Sequence, residues 1–226
     1  MADISFKVGA ISLLGGLVPA FLWLWFWLNE DDEKPEPRGL LVLTFIIGMV
    51  SVFVVLPLQN LVGSLIFNDK ILTIAWAAVE EIVKYSAVLF VALKSKAADE
   101  PVDFAIYLMT GALGFAAMEN ALFLLDPVTL GNATVSLLTG NFRFLGAMLL
   151  HTICSGIIGI ALGLSFYRGW YSKKIFLLGG LLAAITLHSA FNFLIIGSDK
   201  GLFGVFSLLW GVTIVVLLLF EQLRRM

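Results

Sequence analysis

Charge is scarce in this sequence: 13% of its 226 residues are Asp, Glu, Lys or Arg, against 60% that are hydrophobic. Soluble domains carry about a quarter charged residues, so this composition excludes that class and points to a membrane protein. The mean hydropathy of +1.01 agrees. Cysteine is nearly missing too. Cys154 stands alone, which excludes an internal disulfide and gives no sign of redox compartment. All eight aspartates fall in loops or at the ends of apolar runs, so no aspartyl dyad sits inside a helix. No HExxH motif occurs, which removes the common helical zinc-protease signature. No internal repeat suggests an inverted-repeat transporter, no basic n-region marks the first apolar run as a cleaved signal, and no nucleic-acid partner is expected.

What the sequence does contain is a series of apolar runs near the roughly 20 residues that cross a bilayer. Seven are read at 6–28, 40–62, 71–93, 103–125, 141–166, 175–196 and 202–220. Turn and charge signals separate them, such as NEDDEKPEPRG at 29–39 and KSKAADEP at 94–101. The expectation is an all-α, polytopic membrane protein of about seven transmembrane helices, forming one transmembrane domain over 1–226. Counting alternate connections, Lys34, Arg38, Lys94, Lys96, Arg168, Lys173, Lys174, Arg224 and Arg225 share one side. Lys7, Lys70, Arg143 and Lys200 share the other. The positive-inside rule then places the N-terminus outside and the C-terminus in the cytoplasm of a plasma-membrane protein.

Against this oily background a few ionisable residues stand inside the runs. AAVEEIVKY at 77–85 holds Glu80, Glu81 and Lys84; Glu119, His151 and His188 lie in three further runs. A charge at mid-bilayer costs about 2.5–3.5 kcal/mol on the insertion scale, so such residues are retained for a partner or a purpose. At about 1.5 Å rise per residue, Glu80, Glu119, His151 and His188 fall roughly 15, 10, 14 and 12 Å below the outer ends of their helices. Four helices therefore present carboxylates or imidazoles at one level in the outer half of the bilayer. Spacing along each helix supports a common face. Lys84 is four residues from Glu80 and three from Glu81, close enough to shield either. Phe115 and Glu119 share a face, as do His188 and Asn192, whose amide could hold the imidazole in one tautomer. Gly156, Gly159 and Gly163 permit close approach of a neighbouring helix.

Two neutral imidazoles and one carboxylate form an established catalytic zinc set. Glu119, His151 and His188 are the expected ligands of a divalent metal, with zinc the expectation from that N/N/O set. Glu80 or Glu81 is the expected general base, its partner held by Lys84. Each residue also has a structural explanation. The Glu-Glu-Lys group suits an interhelix ion pair, the histidines suit hydrogen-bonded packing, and Asn120 and Asn192 suit interhelix contacts. Trp23, Trp25, Trp27 and the other tryptophans suit interfacial anchors, and Arg143 suits snorkelling to headgroups. Ser155 with His188 is a conceivable nucleophile pair, yet Ile153 replaces the glycine of a GxSG motif.

EEIVK at 80–84, FAAMEN at 115–120, HTICSG at 151–156 and HSAFN at 188–192 together resemble the PrsW family of intramembrane proteases. That family is similar in turn to the CAAX-prenyl endopeptidases and to the multi-span scaffold subunit of gamma-secretase. The resemblance covers about residues 71–196, which it implies is a catalytic helix core with a polar cavity. It implies cleavage of a membrane-anchored anti-sigma factor on the outer side, releasing a stress response. By the same resemblance, Glu80 and Glu81 match the paired glutamates, Glu119 the glutamate of the second motif, and His151, His188 and Asn192 the later polar positions. The prenyl-endopeptidase branch ends its second motif in histidine where this chain has Glu119. Two readings from other classes stand beside it: an ion- or proton-coupled transporter, and a non-catalytic membrane scaffold.

Overall fold

The computed structural model describes residues 6–29, 34–129, 146–197 and 202–226. Its architecture is all-α, with no strand among the described residues. The helices are α1 (Phe6–Asn29), α2 (Arg38–Leu65), α3 (Asp69–Val88), α4 (Asp103–Thr129), α5 (Met148–Leu164), α6 (Trp170–Gly197) and α7 (Leu202–Arg224). A π-helical turn, Leu89–Leu93, extends α3. Most helices run a few residues past the apolar runs, because charged and polar end residues continue the hydrogen-bonded spiral outside the hydrocarbon. α4 reaches Thr129, past Pro127 rather than stopping before it; proline is tolerated in helices that neighbours enclose. Residues 141–145, Arg143 among them, lie outside the described residues.

The protein is a polytopic membrane protein. Five helices, α1, α2, α4, α6 and α7, are long and apolar enough to cross a membrane. α5 is apolar over 17 residues, and α3 carries Glu80, Glu81 and Lys84 in its middle. Large apolar side chains such as Phe53, Leu61, Phe67, Phe90, Leu182 and Leu218 are exposed. A water-soluble protein would hide so much apolar surface, whereas lipid accepts it.

α4 is the centre of the bundle. Every residue from Ala105 to Ala117 is buried, as expected of a helix apolar on all sides. Its neighbours approach it through glycines. A Cβ added at Gly48 of α2 would lie 2.0 Å from the Gly111 carbonyl oxygen, and one at Gly16 of α1 would lie 2.1 Å from that of Ala117. At Gly159 of α5 it would lie 2.4 Å from the Ala105 Cα. Small residues substitute for the hydrophobic drive that helices lack in lipid, letting backbones meet at van der Waals distance.

The connections sort to two ends. At one, Lys34 pairs with Glu100, and Lys34, Glu100, Tyr167, Arg224 and Met226 line one small hollow. The hydrogen bond it donates to the Glu100 carboxylate holds the Lys34 ammonium above the usual lysine range. The Asp103 carboxylate accepts from the backbone N–H of Asp99 at 2.8 Å and of Glu100 at 2.6 Å, tying the preceding connection to the first residue of α4. Tyr107 donates to Glu36 beside it. At the opposite end, Asn68 caps α3 by accepting from the N–H of Lys70 and Ile71, both at 3.1 Å. Helices joined alternately at two ends are what successive membrane crossings require. The tryptophans divide: Trp25 is exposed like an anchor, but Trp27 is buried, its ring 5.8 Å from that of Phe220. Trp27 is a packing residue, because α1 turns it inward against α7.

Candidate active site

α3 brings two acids and a base to one level because its charges are spaced at one and three residues along the spiral. All three are buried, and the surrounding helices bond to each, leaving Glu80 Oε2 and Glu81 Oε2 without a hydrogen-bond partner. Lys84 Nζ donates to Glu81 Oε1 at 2.7 Å and to His151 Nδ1 of α5 at 3.0 Å, and it lies 5.2 Å over the Phe115 ring of α4. A lysine ammonium can only donate, so Nδ1 of His151 accepts and its Nε2 carries the proton. That Nε2–H faces Glu119 Oε2 of α4 at 3.0 Å. On the other side, His188 Nδ1 of α6 lies 2.7 Å from the same Glu81 oxygen. With Glu81 already paired to Lys84, this contact reads as an N–H donated to a carboxylate. The His188 Nε2 lone pair then points toward Glu80 Oε2, 3.7 Å away. The two imidazole rings meet edge to face, 5.1 Å apart.

The six ionisable residues singled out in the sequence thus converge from four helices. Asn192 lines the same cavity, but Glu81, not Asn192, is the group that holds the His188 ring. The carboxylate is within reach of Nδ1 and charged, which makes it the stronger acceptor. The metal-ligand grouping differs from the expected one as well. Glu80, His151 and His188 can offer one atom each within 4.8 Å of one another, whereas Glu119 lies outside that triplet and bonds to His151 Nε2. Depth along a helix does not reveal which carboxylate at a given level turns inward.

The triplet suits a divalent metal on two observations. Its donor set is two imidazoles and a carboxylate, and Glu80 Oε2 is buried with no hydrogen-bond partner. A buried carboxylate oxygen left unsatisfied costs stability unless something fills the position. His188 already presents a free Nε2. His151 would join it through Nε2 only as the tautomer protonated on Nδ1, with Lys84 turned to Glu81 alone. A second triplet, Glu81, Cys154 and His188, meets the same distance limit. The Lys84 ammonium on Glu81 opposes a metal cation there, and Cys154 instead points its thiol at the Ala184 carbonyl, 3.5 Å away.

The cluster forms the floor of a cavity of about 750 Å³. Val52, Leu56, Leu122, Phe123, Leu150, Phe191 and Phe206 make its walls apolar. Gln59 of α2 and Trp76 of α3 also line it. Sequence reading passed over both. Gln59 follows Pro57 near the end of a span and is easily taken for an interfacial residue. Trp76 is easily taken for an anchor. The signal available was an amide side chain, Gln59, in the same layer as the acids.

Such a site in such a bundle defines a class: a polytopic α-helical membrane protein with a glutamate–histidine centre of metal-binding chemistry buried between its helices. The family profile described as PrsW family intramembrane metalloprotease matches residues 36–220. This chain belongs to that family, and peptidase activity is the family's activity. Among curated relatives, the Protease PrsW of Oceanobacillus iheyensis is 30% identical over 191 residues, covering 82% of this chain and 83% of the relative. That of Halalkalibacterium halodurans is 29% identical over 223 residues, covering 94% and 98%. That of Geobacillus kaustophilus is 26% identical over 188 residues, covering 82% and 80%. No solved structure matches the chain.

Proposed function

We propose that this protein is a metal-dependent endopeptidase that cuts a membrane-tethered protein substrate near the outer leaflet, with a single-span anti-sigma factor as the substrate class. The convergence of Glu80, Glu81, Lys84, Glu119, His151 and His188 on the floor of one apolar-walled cavity carries this reading. In it, residues 71–196 supply the chemistry and the whole chain is one membrane domain. Glu80, His151 and His188 hold a divalent metal of the zinc type. When bound, the metal acidifies a water and polarises the scissile carbonyl. Glu81, bonded to His188 Nδ1, fixes the ring so that Nε2 faces inward. Lys84 keeps Glu81 charged without competing for the cavity.

Glu119 is the base in this arrangement, a role the sequence placed on Glu80 or Glu81. Its side chain is 19% exposed, more than those of its neighbours, so it can meet water at the cavity floor. It takes a proton as the water oxygen adds to the carbonyl carbon. It returns that proton to the leaving amine as the C–N bond breaks. The apolar walls suit the unwound end of a hydrophobic segment. Asn192, on the cavity wall, offers an amide to the substrate backbone.

The orientation follows from charge. The end carrying Lys34, Arg38, Lys94, Lys96, Arg168, Lys173, Lys174, Arg224 and Arg225 faces the cytoplasm, which puts the cavity outward and the N-terminus outside. Toward the cytoplasmic end, Met109, Ile153, Cys154 and Ala184 are fully buried. That favours hydrolysis over transport, which needs a path open alternately to both ends.

The test is cleavage of a single-span bait by the purified protein in lipid, with and without chelator, beside Glu80→Gln and His188→Gln. We expect chelator to stop cleavage, zinc or cobalt to restore it, and both variants to lose it. Intact bait with metal-replete wild-type protein would discard the peptidase reading. Cleavage that survives chelation would keep the peptidase and discard the metal.

A further inference from the structure

We infer that Gln59 is a positioning residue for Glu80, holding one carboxylate oxygen so that the other is presented to the metal. The inference rests on the proposed metal site and adds a residue from α2 to it. Gln59 Nε2 donates to Glu80 Oε1 at 2.8 Å. The other oxygen, Oε2, is buried without a partner and lies 3.7 Å from His188 Nε2. A carboxylate with one oxygen tied to an amide and one left free is arranged to bind through a single atom. Without the amide the group could turn about its last bond and present either oxygen or neither.

Gln59 is itself held. Trp76, one turn before Glu80 on α3, donates its indole N–H to the Gln59 carbonyl oxygen at 3.0 Å. The α2–α3 turn, residues 66–68, is three residues long, so the ends of the two helices stay in register. The chain of contacts runs Trp76 to the Gln59 backbone, then Gln59 side chain to Glu80. Gln59 of α2 bonds Glu80 and Lys84 of α3 bonds Glu81, so the two supporting groups act on separate carboxylates. Partners of metal ligands orient them, and their loss costs typically 10–100-fold in metal affinity or activity.

The experiment compares wild type with Gln59→Met, which keeps length and loses the donor, and Gln59→Glu, which keeps shape and sets a second carboxylate against Glu80. Cobalt(II) binding to chelator-stripped protein is measured by visible absorption and by chelator competition. Thermal unfolding of the metal-free proteins and kcat and KM on the bait are measured alongside. A positioning role predicts roughly 10–100-fold weaker cobalt binding in Gln59→Met, an altered cobalt spectrum, a fall in kcat, and metal-free unfolding close to wild type. Unchanged cobalt affinity with a raised KM would make Gln59 a substrate contact and overturn the inference. Unchanged affinity with lowered stability would make it a packing residue, with the same consequence. A wild-type protein that cleaves but binds no cobalt would remove the metal reading, and this inference with it, while leaving the peptidase. A wild-type protein that does neither would remove both.

Discussion

Removing the Lys84 charge is the most informative single perturbation, because stability and catalysis should respond to it differently. Lys84 and Glu81 are 1% and 0% exposed, with Nζ and Oε1 2.7 Å apart. At an effective dielectric constant of about 20, two unit charges at that distance attract by about 6 kcal/mol. Desolvation of both groups offsets much of this, so the intact pair adds little. Breaking it, however, strands a buried charge and costs about 3–5 kcal/mol. Lys84→Met should therefore be destabilised by about that amount in chelator-treated protein, and Glu81→Met similarly. The double variant strands neither member of the pair. Its residual cost is that of the orphaned His188 Nδ1–H, about 1–3 kcal/mol, together with the His151 Nδ1 acceptor that Lys84→Met already leaves unpaired. The double variant should thus be more stable than either single variant, yet it should cleave no better, since His188 has lost the carboxylate that orients it. Equilibrium unfolding in detergent gives the three stabilities, and bait cleavage gives the three activities. Additive losses in the double variant would show that the two charges are not coupled in the folded protein, and the electrostatic account of the site would have to be abandoned.

Other expectations follow from packing and from the second ligand triplet. Gly48→Ala should push a methyl against the Gly111 carbonyl and destabilise at the upper end of the roughly 1–3 kcal/mol that overpacking costs. Gly39→Ala, where nothing lies within 4 Å, should unfold like wild type; equal melting of the two variants would refute the close α2–α4 approach. Cys154→Ala should keep cleavage within a few fold and cost about 1 kcal/mol of stability. Loss of metal binding in that variant would move the ion to Glu81, Cys154 and His188.

The legibility of the site in the sequence was uneven for physical reasons. An acid inside a hydrocarbon run is costly wherever it faces, so Glu80, Glu81, Glu119, His151 and His188 announced themselves, and the regular rise of a helix placed them at one level. Rotation is another matter. Adjacent glutamates differ by about 100° around the α3 axis, which sends Glu81 to Lys84 and His188 while Glu80 faces the cavity. Nothing in the pair EE distinguishes the two. Gln59 and Trp76 gave no comparable signal, because an amide or an indole near a span end has an ordinary interfacial explanation.

The sequence by itself determined the solvent, the secondary structure and the depth of the polar layer. Each follows from local quantities: the hydropathy of a run, the length of a helix, the position of a charge along it. Only the tertiary structure decided which carboxylate joins the imidazoles, which one the lysine neutralises, and that α2 reaches in to hold Glu80. Those choices depend on how helices turn about their axes and how closely glycines let them approach, and both are set by neighbours distant in the chain.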